Sequence, residues 1–259
     1  MSFGDIPSTA RPVPPDWLVV EPFTETDLGV LRTGKEAQID VVDRSGLDGS
    51  SCLIARKRYL PRSVSEKGVL EAMGVQRASA FRNDVEYREG RQFRKTRDRR
   101  AVEKMSAHGK RLLQSRWTGH EYDVMTVLWN AGLTVPYPIS FHDDVFDMEY
   151  VGDRVGAAPQ LGRARLSAEQ TRSAFQQLVD GLATMAAAGF AHGDLSAFNL
   201  LWWNDQLWFI DFPQAVDLAA NPQGLNYLHR DVLNACEWFG RRGIGIDPEV
   251  IFAELLTVL

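Results

Sequence analysis

The sequence predicts an α+β protein with two lobes and a cleft between them. Strand-like alternation crowds the early part of the chain and helical spacing the last third, the order expected when strands and helices form separate layers. A chain of 259 residues can bury a substantial core. Late in the chain, His192–Leu201 and Ile210–Gln214 place two carboxylates and a carboxamide around a short apolar pair of runs. Hydrophobic content of 44% and charged content of 24% are those of an ordinary globular protein, and a net charge of −5 argues against wholesale coating of nucleic acid.

Residues 1–22, with Pro7, Pro12, Pro14 and Pro15, read as a poorly ordered, proline-rich lead-in, with a path over the domain as the alternative. From about residue 27 the pattern is strand-like. Leu28–Leu31 precedes Thr33-Gly34-Lys35-Glu36-Ala37, and Ile39–Val42 follows. Residues 43–50 are polar and glycine-bearing and predict a turn. Leu53–Tyr59 is the next strand, and its alternation puts Ala55, Lys57 and Tyr59 on one face and Arg56 and Arg58 on the other. Residues 61–116 are irregular, and a helix preceded by a basic loop is expected there. Between Arg88 and Arg116 eleven Lys/Arg stand against three Asp/Glu.

Val124, Val127, Leu128 and Ala131 recur at helical spacing, with Gly132 at the C-terminal cap and Pro136 beyond. Val145–Val151 predicts a strand and 152–165 a linker. Ser167-Ala168-Glu169-Gln170 is a capping box. The helix it opens has Phe175, Leu178, Val179, Leu182 and Met185 as its buried stripe and Gly189 as its stop. Further helices are expected over 225–239 and, after Asp247-Pro248, over 250–256. Cys52 and Cys236 match no metal spacing, which suits a reduced, cytoplasmic protein. No apolar run approaches the roughly 20 residues that cross a bilayer, and the N-terminus has no signal-peptide core.

The chemistry concentrates at 192–214. Leu200–Trp203 and Leu207–Ile210 flank Asn204-Asp205-Gln206 and predict a β-hairpin. With the turn centred on Asp205, Asn199 and Asp211 are equidistant and face each other at the open end. Hard oxygen donors there suit Mg²⁺ that keeps waters and phosphates in its shell. Phosphoryl transfer mostly requires positioning and charge neutralisation. Asp194 is placed to orient an acceptor hydroxyl and take its proton, and Asn199 and Asp211 to hold metal. His192 is expected as a packed prop of the loop, not a base.

These residues resemble the catalytic and metal-binding loops of the protein-kinase-like superfamily. The nearer likeness is to the RIO family of atypical protein kinases, with His-x-Asp-Leu-Ser-x-x-Asn and Ile-Asp-x-x-Gln. Thr33–Ala37 is similar to that family's Ser-Thr-Gly-Lys-Glu loop, and Ala55-Arg56-Lys57-Arg58-Tyr59 to its Ala-Val-Lys-Val-Tyr strand. Trp117–Glu121 is similar to Trp-Ala-x-x-Glu, and Met148–Gly152 to the hinge. The resemblance implies a two-lobed kinase-like fold without activation loop or full peptide-binding subdomains. Its N-lobe would span about 23–147, its hinge 148–152 and its C-lobe 153–259. It implies that Lys57 contacts phosphates and pairs with Glu121, that Gly34 and Lys35 attend the phosphates, and that Glu149 and Val151 bind adenine through their backbones. ATP with Mg²⁺ or Mn²⁺ would be the cofactors, serine on a protein the acceptor, and Asp211 the carrier of a transient phosphate in an ATPase cycle.

Departures from the family pattern bear on the acceptor. Arg56 and Arg58 replace apolar residues, so their face is wetter or covered by acids. Gly193 stands for a frequent alanine, and Ala197-Phe198 for Glu-Tyr. The 48 residues after Asp211 contain no Ala-Pro-Glu. The basic segment 88–116 is a candidate RNA or ribosomal contact, with a solvated helix face as the alternative. Rival functions are a small-molecule kinase of aminoglycoside or choline type and a non-catalytic nucleotide-binding scaffold.

Overall fold

The computed structural model describes residues 12–34, 36–60 and 107–259, with the backbone alone for 107–118. Five antiparallel strands make the main sheet: β1 (Phe23–Thr33), β2 (Ala37–Gly46), β3 (Ser51–Tyr59), β4 (Pro138–His142) and β5 (Val145–Glu149), in the order β1-β2-β3-β5-β4. Lys35 lies outside the described residues, as do 1–11 and the basic segment up to residue 106. The backbone of 107–116 is helical.

β2 continues past Val42 to Gly46, where a turn was expected. Arg44, a residue only 6% exposed, keeps the strand in the ladder because its guanidinium meets Glu25 of β1 at 2.8 Å. Register aligns Arg32, Ile39, Lys57 and Phe146 in one row across four strands. Side chains directly opposite each other in antiparallel pairs share a face.

The alternation of β3 separates two environments. Ala55, Lys57 and Tyr59 are buried on the inner face. On the outer face, Cys52 and Ile54 join Val42 and Val19 in a small apolar cluster. Each such side chain gains roughly 1.5–3 kcal/mol from burial. Beside it Arg56 makes a bidentate pair with Asp147 at 2.7 and 2.8 Å, and Arg58 reaches the buried Asp40 at 2.8 Å. Acids therefore cover the arginines. Residues 12–22 lie across this side. The Val19 N–H meets Cys52 Sγ at 3.4 Å, and the Tyr137 hydroxyl donates to the Pro12 carbonyl at 2.8 Å.

The helices are α1 (Ala107–Asn130), α2 (Ala168–Ala187), α3 (Gly224–Gly240) and α4 (Pro248–Leu256). Ser167 caps α2 in a complete capping box with Gln170, and Asp247 caps α4 with proline in its first turn. Leu178, Leu182 and Met185 of the expected stripe are fully buried, whereas Phe175 and Val179 sit at its edge. Thr171, Ala174, Gly181 and Ala186 complete the stripe instead. The large core joins α1, β5, α2, α3 and α4 around two short hairpin strands, β7 (Leu200–Trp203) and β8 (Gln206–Phe209). β6 (Phe190–Ala191) and β9 (Val216–Asp217) pair beneath them.

The expected linker over 152–165 is instead part of the fold. Its backbone pairs along β7, with Leu161 N–H on the Leu200 carbonyl at 2.8 Å and Trp202 N–H on Pro159 at 3.0 Å. Leu161 is fully buried. Backbone groups of this segment find their partners in the exposed edge of the hairpin, which periodicity along 152–165 does not reveal.

Candidate active site

A cleft of about 570 Å³ separates the sheet from the helical half. Gly34, Ile39, Ala55 and Lys57 line it from the sheet, Glu149 and Val151 from the end of β5, and Asn199, Ile210 and Asp211 from below.

Lys57 is the centre of the site. Its ammonium touches both oxygens of Glu121, at 2.8 and 2.9 Å, and Oδ1 of Asp211 at 2.8 Å. Burial alone would push the lysine down, but the charges of Asp211 and Glu121 outweigh it and hold it well above its ordinary value. Lys57 in turn holds the Asp211 carboxyl below the usual carboxylate range, against the partial desolvation of a side chain that stays 47% exposed.

Glu121, on α1 and 1% exposed, accepts more than one bond. Its Oε1 takes the Phe212 N–H at 3.2 Å as well as Lys57, and its Oε2 takes the Tyr59 hydroxyl. One carboxylate thus ties β3, α1 and the Asp211 loop together. Burial, then Glu121, pushes the Tyr59 hydroxyl well above its ordinary range, so it stays a donor. Tyr59 shares the face of Lys57 two residues on, the one sequence signal for its part in the site.

The hairpin differs from expectation by half a residue. Leu200 pairs with Phe209 and Trp203 with Gln206, so the centre lies between Asn204 and Asp205. Both have positive φ, 49° and 56°, as a two-residue type I′ turn requires. Gln206 belongs to β8 rather than to the turn. The residue facing Asn199 is therefore Ile210, whose N–H donates to the Asn199 carbonyl at 3.0 Å. Asp211 leaves the ladder at φ 71°. It enters the cleft by that backbone turn, and not by strand symmetry.

Asn199 Nδ2 donates to the Asp194 carbonyl at 2.8 Å, which orients the amide and links the two loop residues. The Oδ1 of Asn199 and the carboxylate of Asp211 are hard oxygen donors on the same cleft, a set that fits Mg²⁺ or Mn²⁺ with substrate oxygens completing the shell. Among the described residues no group of three or more His, Cys, Asp or Glu could hold a metal. His192 is fully buried, bonded through Nε2 to the Ile210 carbonyl at 3.0 Å and packed on Phe212 with ring centroids 4.8 Å apart.

Asp231 of α3 was not anticipated. It is fully buried and accepts the backbone N–H groups of Gly193 and Leu195 at 2.8 and 3.0 Å. Burial raises its pKa, against the His192 charge and these two bonds. The available signal was an acid on the apolar stripe Leu228, Val232, Ala235. Gly193 has φ 78°, and a Cβ there would lie 2.1 Å from the Gln214 carbonyl oxygen. This position admits glycine alone, so the departure from alanine follows from the approach of the two loops.

At the end of β5, where a hinge was expected, the Glu149 N–H is taken by the Tyr137 carbonyl and the Val151 carbonyl by the Ala158 N–H, both at 2.9 Å. The Glu149 carboxylate accepts the Tyr137 N–H at 3.0 Å, and burial lifts its pKa to about 7. Gly34 N–H closes its turn on the Ala37 carbonyl at 2.8 Å.

A sheet packed over helices, with a buried lysine–glutamate pair facing an aspartate-bearing loop, defines the class of kinase-like phosphotransferases. Comparison with known proteins narrows the class. The family model of the RIO domain matches residues 76–251, and the chain belongs to the RIO family. It is a RIO-type kinase. The chain is 36% identical over 135 residues to the RIO-type serine/threonine-protein kinase Rio1 of Thermoplasma acidophilum, covering 52% of this chain and 69% of that protein. It is 29% identical over 224 residues to Rio1 of Haloferax volcanii, 86% and 67% of the respective lengths. Against the serine/threonine-protein kinase RIO3 of Bos taurus the match spans 57% of this chain but only 28% of the relative. The Rio2 kinase of Chaetomium thermophilum shares the fold, with a TM-score of 0.58 at 20% identity over 90% of this chain and 63% of that one. Membership of a kinase family carries with it the use of ATP and a divalent metal. No described helix is long and apolar enough to cross a membrane.

Proposed function

We propose that this chain transfers the γ-phosphate of ATP to a serine hydroxyl of a protein, itself included, and that it also hydrolyses ATP as a conformational switch. The observation that carries this reading is Lys57, held between Glu121 and Asp211 on the wall of a cleft that also presents Asn199. Adenine would lie against backbone groups of Glu149 and Val151, which line the cleft at the end of β5. Lys57 would bind the α- and β-phosphates, with Gly34 and Lys35 in the turn beside them.

Asn199 and Asp211 would hold Mg²⁺ or Mn²⁺, which when bound neutralises charge on the phosphate oxygens. Asp194 would orient the serine hydroxyl and accept its proton. The new bond joins serine Oγ to the γ-phosphorus as its bond to the β–γ bridging oxygen breaks, and ADP leaves. In the hydrolytic branch Asp211 would carry the phosphoryl group before water removes it. An RNA or ribosomal partner at 88–116, in ribosome-related assembly, and a cytoplasmic location belong to the same reading. Support for the location is two buried free cysteines.

The test follows labelled γ-phosphate. Wild-type protein should place label on serine and release phosphate, and Asp194→Ala should do neither. A hydroxylamine-labile label absent from Asp211→Asn would support the acyl-phosphate. Equal turnover in wild type and Asp194→Ala would defeat the assignment.

A further inference from the structure

Arg32 stands apart from the other arginines of the sheet. Arg44, Arg56 and Arg58 are each paired with an acid on the outer face. Arg32, the next-to-last residue of β1, lines the cleft. Among the described residues no hydrogen bond or ion pair engages it. Its strand register explains why. Arg32 faces Ile39, and Ile39 faces Lys57, so the three share the inner face of the sheet. Arg32 thus lies two strands from Lys57, about 10 Å away along the row. Arg32, Ile39 and Lys57 line the cleft, and Phe146, the fourth residue of the row, does not.

Strand register gives the direction along the cleft. The row that holds Arg32 and Lys57 crosses β5 at Phe146, three residues before Glu149, and Lys57 in that row bonds Asp211 at 2.8 Å. Arg32 therefore overlooks the Asp211 end of the cleft, and not the end at Glu149 and Val151. Its position also precedes Thr33 and Gly34, where the loop pattern that this turn resembles carries serine. An arginine there replaces one short hydroxyl by a planar cation with five donors, suited to phosphate oxygens.

From this register, we infer that Arg32 is a second phosphate-binding cation of the cleft and that it selects nucleoside triphosphate over diphosphate by contacting the terminal phosphate. The inference rests on the proposed nucleotide site and deepens it. Lys57 serves the inner phosphates from a buried position. Arg32 serves the outermost one from the solvent side, where its contribution falls with added salt.

Calorimetric titration with Mg²⁺–ATP and Mg²⁺–ADP tests it on four proteins: wild type, Arg32→Ala, Arg32→Lys and Arg172→Ala. Arg172 is an exposed residue of α2 and controls for net charge. Arg32→Ala should raise the Kd for ATP about five- to tenfold, as for loss of an exposed charge-assisted contact. The Kd for ADP should change by less than about twofold. Arg32→Lys should recover part of the ATP affinity, and 0.5 M salt should shrink the difference, roughly as a Debye length of a few Å demands. Equal losses for ATP and ADP, or the same loss in Arg172→Ala, would overturn the assignment of Arg32 alone. Failure of wild type to bind either nucleotide would overturn the nucleotide site with it.

Discussion

Asp231 Oδ2 accepts the Gly193 N–H at 2.8 Å across 38 residues of sequence. Its other oxygen takes the Leu195 N–H at 3.0 Å. The aspartate thus grips the backbone on both sides of Asp194 while lying outside the cleft. Truncation by Asp231→Ala leaves two buried donors unmatched, at about 1–3 kcal/mol each. Asp231→Asn keeps a single acceptor oxygen and should lose about half as much. Steady-state kinetics should show kcat falling with little change in KM for ATP. A rise in KM at constant kcat would contradict a role confined to the loop.

Gly193 and Gly189 both have positive φ, 78° and 84°. A Cβ on Gly189 meets nothing within 4 Å, whereas one on Gly193 meets the Gln214 carbonyl at 2.1 Å. Gly189→Ala should cost about 1–2 kcal/mol, the conformational strain alone. Gly193→Ala must also push the loop that carries Asp194 away from Gln214. It should show the larger drop in thermal midpoint and a loss of turnover that Gly189→Ala lacks. Equal effects of the two would count against the close approach.

Lys57→Met leaves the Glu121 carboxylate buried with only Tyr59 and Phe212 as donors. Breaking a buried pair by removing one partner costs about 3–5 kcal/mol. Turnover should fall by about 10²- to 10³-fold, as when a preorganised electrostatic contact is lost. Adding Glu121→Gln should recover stability and not activity, because the stranded charge is removed while the phosphate contact proposed for Lys57 stays absent. Denaturant melts of the single and double variants measure the coupling.

Glu149 carries a folded-state pKa of about 7 against an ordinary 4.5 because it is buried. The folded state binds this proton more tightly than the unfolded chain does. Its contribution to stability is therefore complete below about pH 4.5 and is lost as pH rises through about 7. Glu149→Gln fixes the neutral form. The difference in thermal midpoint, variant minus wild type, should grow in favour of the variant between pH 5 and pH 8. A difference independent of pH would show that Glu149 ionises normally.

Much of the fold was legible because its signals are local. The capping box at Ser167–Gln170 and the proline start of α4 depend on neighbours three or four residues away, and both stand where the pattern put them. The hairpin was legible as a hairpin, yet its centre was not. A three-residue polar run cannot tell a turn residue from the first exposed strand residue, and Gln206 proved to be the latter. The structured path of 152–165 escaped because its partners, Leu200 and Trp202, lie some forty residues later.

By itself the sequence determined the residue types and their local order. It supplied a lysine on the inner face of a strand, an aspartate and asparagine five residues apart, a second aspartate beyond a hairpin, and a likeness to RIO kinases carried by these motifs. Only the tertiary structure decided which of them meet. Packing of α1 under the sheet brings Glu121 to Lys57, Tyr59 and Phe212 together. Packing of α3 under the loop brings in Asp231, and strand register aims Arg32 into the cleft. Periodicity records which face of an element is buried, because that depends on near neighbours. Which buried polar group answers which is settled by chain segments that come together only when the whole core closes and leaves each of them no water to bond.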